Sequence, residues 1–188
     1  VSLEVEVLTM HQKMSHPILI YIFADQLRYQ SCGYAGDTKA DTPNIDQLAK
    51  ESLNFCNAVS GHSVCAPYRA SLFTGKYTTS TGMVINEIRM NPNHKCIGHV
   101  LTENGYQTGY IGKWHLYTPP GPDRLGFDGF WAAYNFHHEY YDTYYHKDSP
   151  EKITMKGYEP DGQAELAMKW IKEKSAFSEP FALFLSFG

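Results

Sequence analysis

Apolar residues in this chain gather in short dense runs separated by stretches of helical spacing, and that alternation predicts an α/β fold. Residues 18–24, Ile-Leu-Ile-Tyr-Ile-Phe-Ala, form a near-continuous apolar run rich in β-branched side chains. This is the pattern of a strand buried on both faces of a mostly parallel sheet. The run stops at Asp25. Thr42-Pro43 then reads as an N-cap followed by proline at the first helical position, with Ile45, Leu48, Ala49 and Leu53 on one helical face. A short second strand is expected around 54–59. A helix over 66–74, closed by Gly75, would place Cys65 at its N-terminus.

Ile97, Val100 and Leu101 mark a further short helix ended by Asn104-Gly105. Residues 106–111 read as a strand that delivers Lys113, Trp114 and His115 beyond its end, where parallel sheets carry their chemistry. From 118 to 158 the chain is rich in Pro, Gly and aromatics with little periodicity, so a long excursion over the surface is expected. Helical spacing returns over 161–174, with Ala164, Ala167, Met168 and Ile171 on one side, and 181–187 repeats the buried-strand pattern. The expected architecture is a mostly parallel central sheet flanked by helices. A core strand ending one residue before Gly188 suggests a truncated domain, with 1–15 a leader or non-core segment and 16–188 an incomplete unit.

Composition narrows the partners. With 43% hydrophobic and 14% aromatic residues among 188, the chain can fill a core. Its net charge of −4 and lack of any Lys/Arg-rich run remove the footprint of a nucleic-acid binder, so no nucleic-acid partner is expected. The longest apolar run, 17–24, falls far short of the roughly 20 residues a membrane helix needs, so no membrane span is expected. Residues 1–15 lack the basic-then-apolar order of a secretory signal, and Met10 and Met14 are alternative starts. Cys32, Cys56, Cys65 and Cys96 form no C-x-x-C pair. A reducing, cytoplasmic location is the expectation, with an exported form whose leader has been removed as the alternative.

Several residues invite chemistry on their own terms. Asp25 at a strand end is either a turn or cap residue or an oxygen donor to a hard cation. Cys65 at a helix N-terminus is either a buried small hydrophobe or a thiolate of lowered pKa. Arg69 lies at i+4 from Cys65 and therefore on the same helical face. Lys113 and His115, two apart in an extended segment, would point the same way, while Trp114 suits the core. His137, His138, Tyr140, Tyr141, Tyr144, Tyr145 and His146 either stack on a sugar ring or pack their loop onto its own domain.

Residues 63–75 hold C-x-P-x-R, a helix and a terminating T-G. Before them come Phe23-Ala-Asp-Gln-Leu-Arg28 and Thr42-Pro-Asn-Ile-Asp-Gln-Leu-Ala49; after them comes Gly112-Lys-Trp-His-Leu116. In this order the four segments resemble the type I sulfatases of the alkaline phosphatase superfamily, and the resemblance runs from about Ile18 to Gly188.

The resemblance implies an alkaline phosphatase-like α/β fold, with 16–188 as the N-terminal part of the catalytic domain. It implies that a formylglycine-generating maturation enzyme oxidises Cys65 to formylglycine. Of the two hydroxyls of the hydrated aldehyde, one attacks sulfur and the other later loses its proton to expel sulfate. Arg69 would hold the formylglycine, Lys113 would contact both it and the sulfate, and His115 would assist the elimination. Asp25, Gln26 and the modified Cys65 would bind a divalent metal, calcium by resemblance, although magnesium or manganese also suits oxygen ligands. Two positions depart from the commonest pattern. Gln26 stands where many members have a second Asp, like a branch that includes bacterial sulfatases and phosphonate monoester hydrolases, and Tyr117 replaces a usual glycine. The implied function is hydrolysis of sulfate esters, arylsulfatase-type, on a sulfated small molecule or carbohydrate. The alternatives are a phosphonate monoester or phosphodiester hydrolase and a non-catalytic sulfate- or glycan-binding relative. The family's remaining metal ligands lie further downstream, so this fragment by itself is expected to be inactive.

Overall fold

A computed structural model describes residues 16–119 and 123–188; the expected leader over 1–15 lies outside them. Four parallel strands form the central sheet: β1 (Leu19–Ala24), β2 (Gln107–Lys113), β3 (Phe130–Tyr134) and β6 (Phe181–Phe187), in the spatial order β1-β6-β2-β3. A two-stranded antiparallel ribbon, β4 (Tyr141–Tyr145) and β5 (Ile153–Tyr158), joins it through an isolated bridge between Ala133 and His146. The helices are α1 (Pro43–Glu51), α2 (Cys65–Thr74), the single turn α3 (Thr78–Thr81), α4 (Ile97–Glu103) and α5 (Glu159–Lys174). Among the described residues no helix is long and apolar enough to cross a membrane.

Strand periodicity sorts the core into two layers. On β6, Ala182 and Phe184 face a cluster that includes Ala66, Ala70 and Phe73 of α2, Leu101 of α4, and Trp114. Phe181, Leu183 and Leu185 point the other way, onto Ala167 and Trp170 of α5. Side chains buried on both faces explain why β6 reads as an unbroken apolar run. Each large side chain so buried contributes about 1.5–3 kcal/mol, which makes β6 the best-anchored strand.

Several expectations need correction. β1 is not buried on both faces: Leu19 and Tyr21 pack on the core, whereas Ile18, Ile20 and Ile22 are exposed, because β6 is its single strand neighbour and α5 covers only the centre of that face. Residues 54–59 form no strand, and Phe55 and Val59 stand in solvent at 71% and 90% exposure. The intended face of α1 is likewise open at Ile45, Leu48 and Leu53. The stretch 118–158 is no surface excursion. It supplies β3 and the β4–β5 ribbon, and buries Leu125, Phe127 and Trp131. In α5 the buried face runs through Gln163, Ala167 and Trp170, leaving Met168 outside. The predicted ends of α2 and α4 agree with the structure: Gly75 and Gly105 both adopt left-handed φ after the last turn.

One glycine bears on the site. Gly112, within β2, has φ +103°, and a Cβ there would overlap the carbonyl oxygen of Ser186 on β6. Gly112→Ala should therefore cost about 2–3 kcal/mol through strain and forced strand separation. Denaturant unfolding of the full-length protein would reveal this as a lowered midpoint.

Candidate active site

The carboxyl ends of β1, β6 and β2 lie side by side, and each hands a polar residue to the same edge. Asp25 follows β1 directly and stays in register, its N–H donating to the Phe187 carbonyl of β6 (3.0 Å). Ser186 lies near the end of β6 and Lys113 ends β2. Lys113 is thus the last residue of the strand, which runs two residues beyond the end at 111 that the sequence suggests.

The first turn of α2 meets this edge. Its N-cap residue, Val64, offers no side-chain cap, and Pro67 falls in the first turn, where a missing N–H breaks no helical hydrogen bond. The Cys65 thiol donates to Asp25 Oδ1 (3.3 Å), and Lys113 Nζ approaches Sγ at 3.8 Å. Lys113 also makes a close ion pair with Asp25 Oδ2, which Arg69 approaches at 3.6 Å.

Arg69 is 2% exposed, as its position one turn beyond Cys65 on the inward face requires. Its guanidinium donates to the Lys113 carbonyl (2.7 Å), to Ser186 Oγ (2.7 Å) and to Tyr110 Oη (3.3 Å), and lies over the Phe23 ring. It ties the helix to the ends of two strands. Ser186 and Tyr110 carry no catalytic motif. Only the inward alternation of β6 and β2 could have marked them.

These charges set the protonation states. Burial alone would raise the Asp25 carboxyl, but the Lys113 hydrogen bond and charge, then Arg69 and the Cys65 thiol, hold it below its ordinary value. For Cys65 the outcome corrects the sequence expectation: burial pushes the thiol up, assisted by the hydrogen bond to Asp25, and the opposing charges of Lys113 and Arg69 do not overcome it. The unmodified thiol is thus no activated thiolate.

His115 has a left-handed backbone, with φ +52°. Its ring stacks on Phe136 (4.7 Å between centroids), the ring that Lys113 Nζ also faces at 5.2 Å, and its Nδ1 has no hydrogen-bond partner among the described residues. Gln26 is also left-handed (φ +57°) and exposed. Two non-glycine residues in this sparsely populated conformation thus flank the strand ends.

Burial, with Lys113 and Arg69 close by, pushes the His115 imidazole from 6.5 down to about 4. The unfolded chain takes up this proton near 6.5 and the folded one only near 4, so stability is full above that window and falls as the pH drops through it. His115→Gln should flatten the decline over this interval. Comparing unfolding midpoints of the two proteins across it would check this, and the loss due to Asp25 begins only below its ordinary 3.8.

Asp25, Gln26, Cys65 and Arg69 line one cavity of about 400 Å³. His115 lies in a second, of about 230 Å³, with Arg89 and Phe136. Asn86 lines both, and its Oδ1 accepts the Ala66 N–H (3.0 Å). Among the described residues no group of three or more His, Cys, Asp or Glu gathers in metal-binding geometry. The oxygens of Asp25 and Gln26 are nonetheless hard donors on one cavity wall, of the type a divalent cation takes. Trp114 is fully buried, in agreement with its expected core role, and Tyr117 is buried beside it. In the aromatic segment, His137 stacks on Tyr134 and lies 3.2 Å from Glu159, so it packs the loop onto its own domain, while Tyr140 and Tyr141 stay exposed.

A family model described as Sulfatase matches residues 17–188. The chain is 38% identical to the Ulvan-active sulfatase of Formosa agariphila over 97% of its own length and 37% of that protein's. It is 30% identical to the N-acetylglucosamine-6-O-sulfatase of Bacteroides thetaiotaomicron over 92% of this chain and 30% of that one. Its fold superposes with a TM-score of 0.82 and 29% identity on a protein solved in complex with its substrate D-glucosamine-2-N,6-O-disulfate, covering 92% of this chain and 34% of the other. The chain therefore spans about a third of the length of these relatives.

Proposed function

Because this chain belongs to the sulfatase family, we propose that it carries the nucleophile of a carbohydrate sulfatase, with Cys65 oxidised to formylglycine by a maturation enzyme and sulfate esters hydrolysed there. The observation that carries the reading is the Cys65 side chain set at the first turn of α2 beside the ion-paired Asp25 carboxylate and Lys113 ammonium, in reach of both, with the Arg69 cation next to Asp25. Sulfated sugars are the favoured substrate class because the similar proteins act on ulvan and on N-acetylglucosamine 6-sulfate and bind a disulfated glucosamine.

Sγ stands where the hydroxyl oxygens of the hydrated aldehyde would lie. Asp25 Oδ1, which accepts from Sγ in the thiol form, is placed to accept from the attacking hydroxyl. Lys113, at the same atom, supplies positive charge where the sulfate's negative charge shifts as the S–O bond breaks. Arg69 holds the α2 turn against the strand ends and orients Asp25. His115, kept neutral by burial at ordinary pH, can accept the proton that the second hydroxyl loses as sulfate is expelled.

Asp25, Gln26 and an oxygen on the modified Cys65 would hold the divalent cation, and calcium suits these hard oxygen donors. When bound it would supply Lewis-acid polarisation of the sulfate oxygens. Three donors fall short of the six to eight that calcium takes, so the others would come from elsewhere in the protein or from solvent.

The test uses full-length protein made with and without a formylglycine-generating enzyme. It combines the mass of the peptide spanning Cys65 with turnover of aryl sulfate, sulfated sugar and phosphonate monoester. Formylglycine together with sulfate-ester turnover supports the proposal. Phosphonate turnover in its place would transfer the site to the rival phosphonate monoester hydrolase reading. Unmodified Cys65 beside an active maturase would remove the mechanism.

A further inference from the structure

The geometry points to Asn86 as a substrate-contacting residue, its amide N–H group donating to the oxygens of the sulfate monoester at the junction of the two cavities. This rests on the hydrolytic reading above and adds to it a residue outside the four motifs.

Three observations converge on this side chain. First, Asn86 is the one residue that lines both the cavity of Cys65 and the cavity of His115. An ester whose sulfur approaches Cys65 and whose alcohol extends towards His115 would lie beside it. Second, the orientation of the amide is fixed. A backbone N–H can meet only the oxygen, so the hydrogen bond from Ala66 assigns Oδ1 to the helix turn. Nδ2 is then turned away from that turn and makes no hydrogen bond to another described residue, which leaves two donors at the half-buried wall between the cavities. Third, the support is rigid. Met83 and Met90, on either side in sequence, are 0% and 3% exposed, and the Met90 N–H bonds to the Leu116 carbonyl just beyond His115. Neighbouring Val84 and Ile85 are exposed, and Glu87, Ile88 and Arg89 line only the His115 cavity, so Asn86 is the residue of this loop that reaches the cavity of Cys65 as well.

A single side chain would thereby do two jobs. Its oxygen caps the N-terminus of the nucleophile's helix, which its own N-cap residue Val64 leaves without a side-chain partner. Its nitrogen presents donors where negative charge grows on the ester oxygens, without reorganisation at the moment of reaction.

Asn86→Asp separates the two jobs, because a carboxylate still accepts the Ala66 N–H but can donate nothing. In full-length, matured enzyme, Asn86→Asp should keep the thermal midpoint and formylglycine content of the wild type while kcat/KM for a sulfate ester falls by about 100-fold or more. Asn86→Ala should lose a similar factor in kcat/KM and also a few degrees of stability. Near-wild-type kcat/KM in Asn86→Asp, with only Asn86→Ala impaired, would overturn the assignment and leave Asn86 as a helix cap. A wild-type enzyme that does not turn over sulfate esters would sink the hydrolytic reading itself, a result distinct from an active wild type with an unimpaired Asn86→Asp.

Discussion

In the full-length protein, Cys65→Ser is expected to lower sulfate-ester turnover by about 10⁴-fold or more while leaving sulfate covalently attached to the enzyme. Serine would put one hydroxyl where Sγ lies, still facing Asp25 Oδ1 and Lys113 Nζ. The first displacement at sulfur therefore retains its base and its electrostatic support. What is lost is the second, geminal hydroxyl, whose deprotonation lets the C–O bond break and sulfate depart. A serine sulfate ester must wait for water to attack a crowded, negatively charged sulfur. Mass spectrometry of the peptide after incubation with substrate should find the sulfated serine, and steady-state assays should find a single partial turnover. Wild-type rates in this variant would show that no formylglycine is needed.

Arg69→Met should destabilise the protein by about 3–5 kcal/mol, the range for removing one member of a buried charged network. Methionine can retain the packing over Phe23, so little of the effect should come from lost contact area. The loss is polar. Ser186 Oγ forfeits its charged donor, and Asp25 keeps only Lys113 as a compensating cation. The Lys113 carbonyl fares better, because the Tyr110 hydroxyl also donates to it. Arg69→Lys restores charge without the planar fork and should recover part of the stability but not all. Thermal and denaturant unfolding would measure both variants. A change below about 1 kcal/mol for Arg69→Met would mean that solvent replaces the guanidinium at the strand ends.

Much of this was legible where local chemistry is dense. The apolar runs of β2 and β6 announce themselves because a central parallel strand admits little else, the run of β1 is equally plain in the sequence, and Gly75 and Gly105 end their helices through a backbone conformation that glycine favours. Cys65, Arg69, Asp25 and Lys113 converge as their motif order implies. Residues 130–134 escaped notice because five residues flanked by turn-forming sequence look like loop until β2 is present to pair with them. The open face of β1 escaped for the opposite reason: an apolar run indicates what could be buried, not which layers are there to bury it. The direction of the Cys65 shift escaped because spacing does not disclose how deeply the thiol is buried. Asn86 carried no signal, because its partner lies twenty residues away across an irregular loop.

The order of the strands has a consequence for timing. Among the described residues β6 comes last of the sheet strands in sequence, yet it stands between β1 and β2, which do not pair with each other. During synthesis, Asp25 and Lys113 cannot be held at their final separation until 181–187 has left the ribosome and slid between its neighbours. At roughly 5–20 residues per second, Cys65 would spend on the order of ten seconds outside any closed pocket. A nascent chain thus offers its thiol to other proteins before the fold encloses it. Changes that slow the insertion of β6 would lengthen that interval, and changes that hasten it would shorten it.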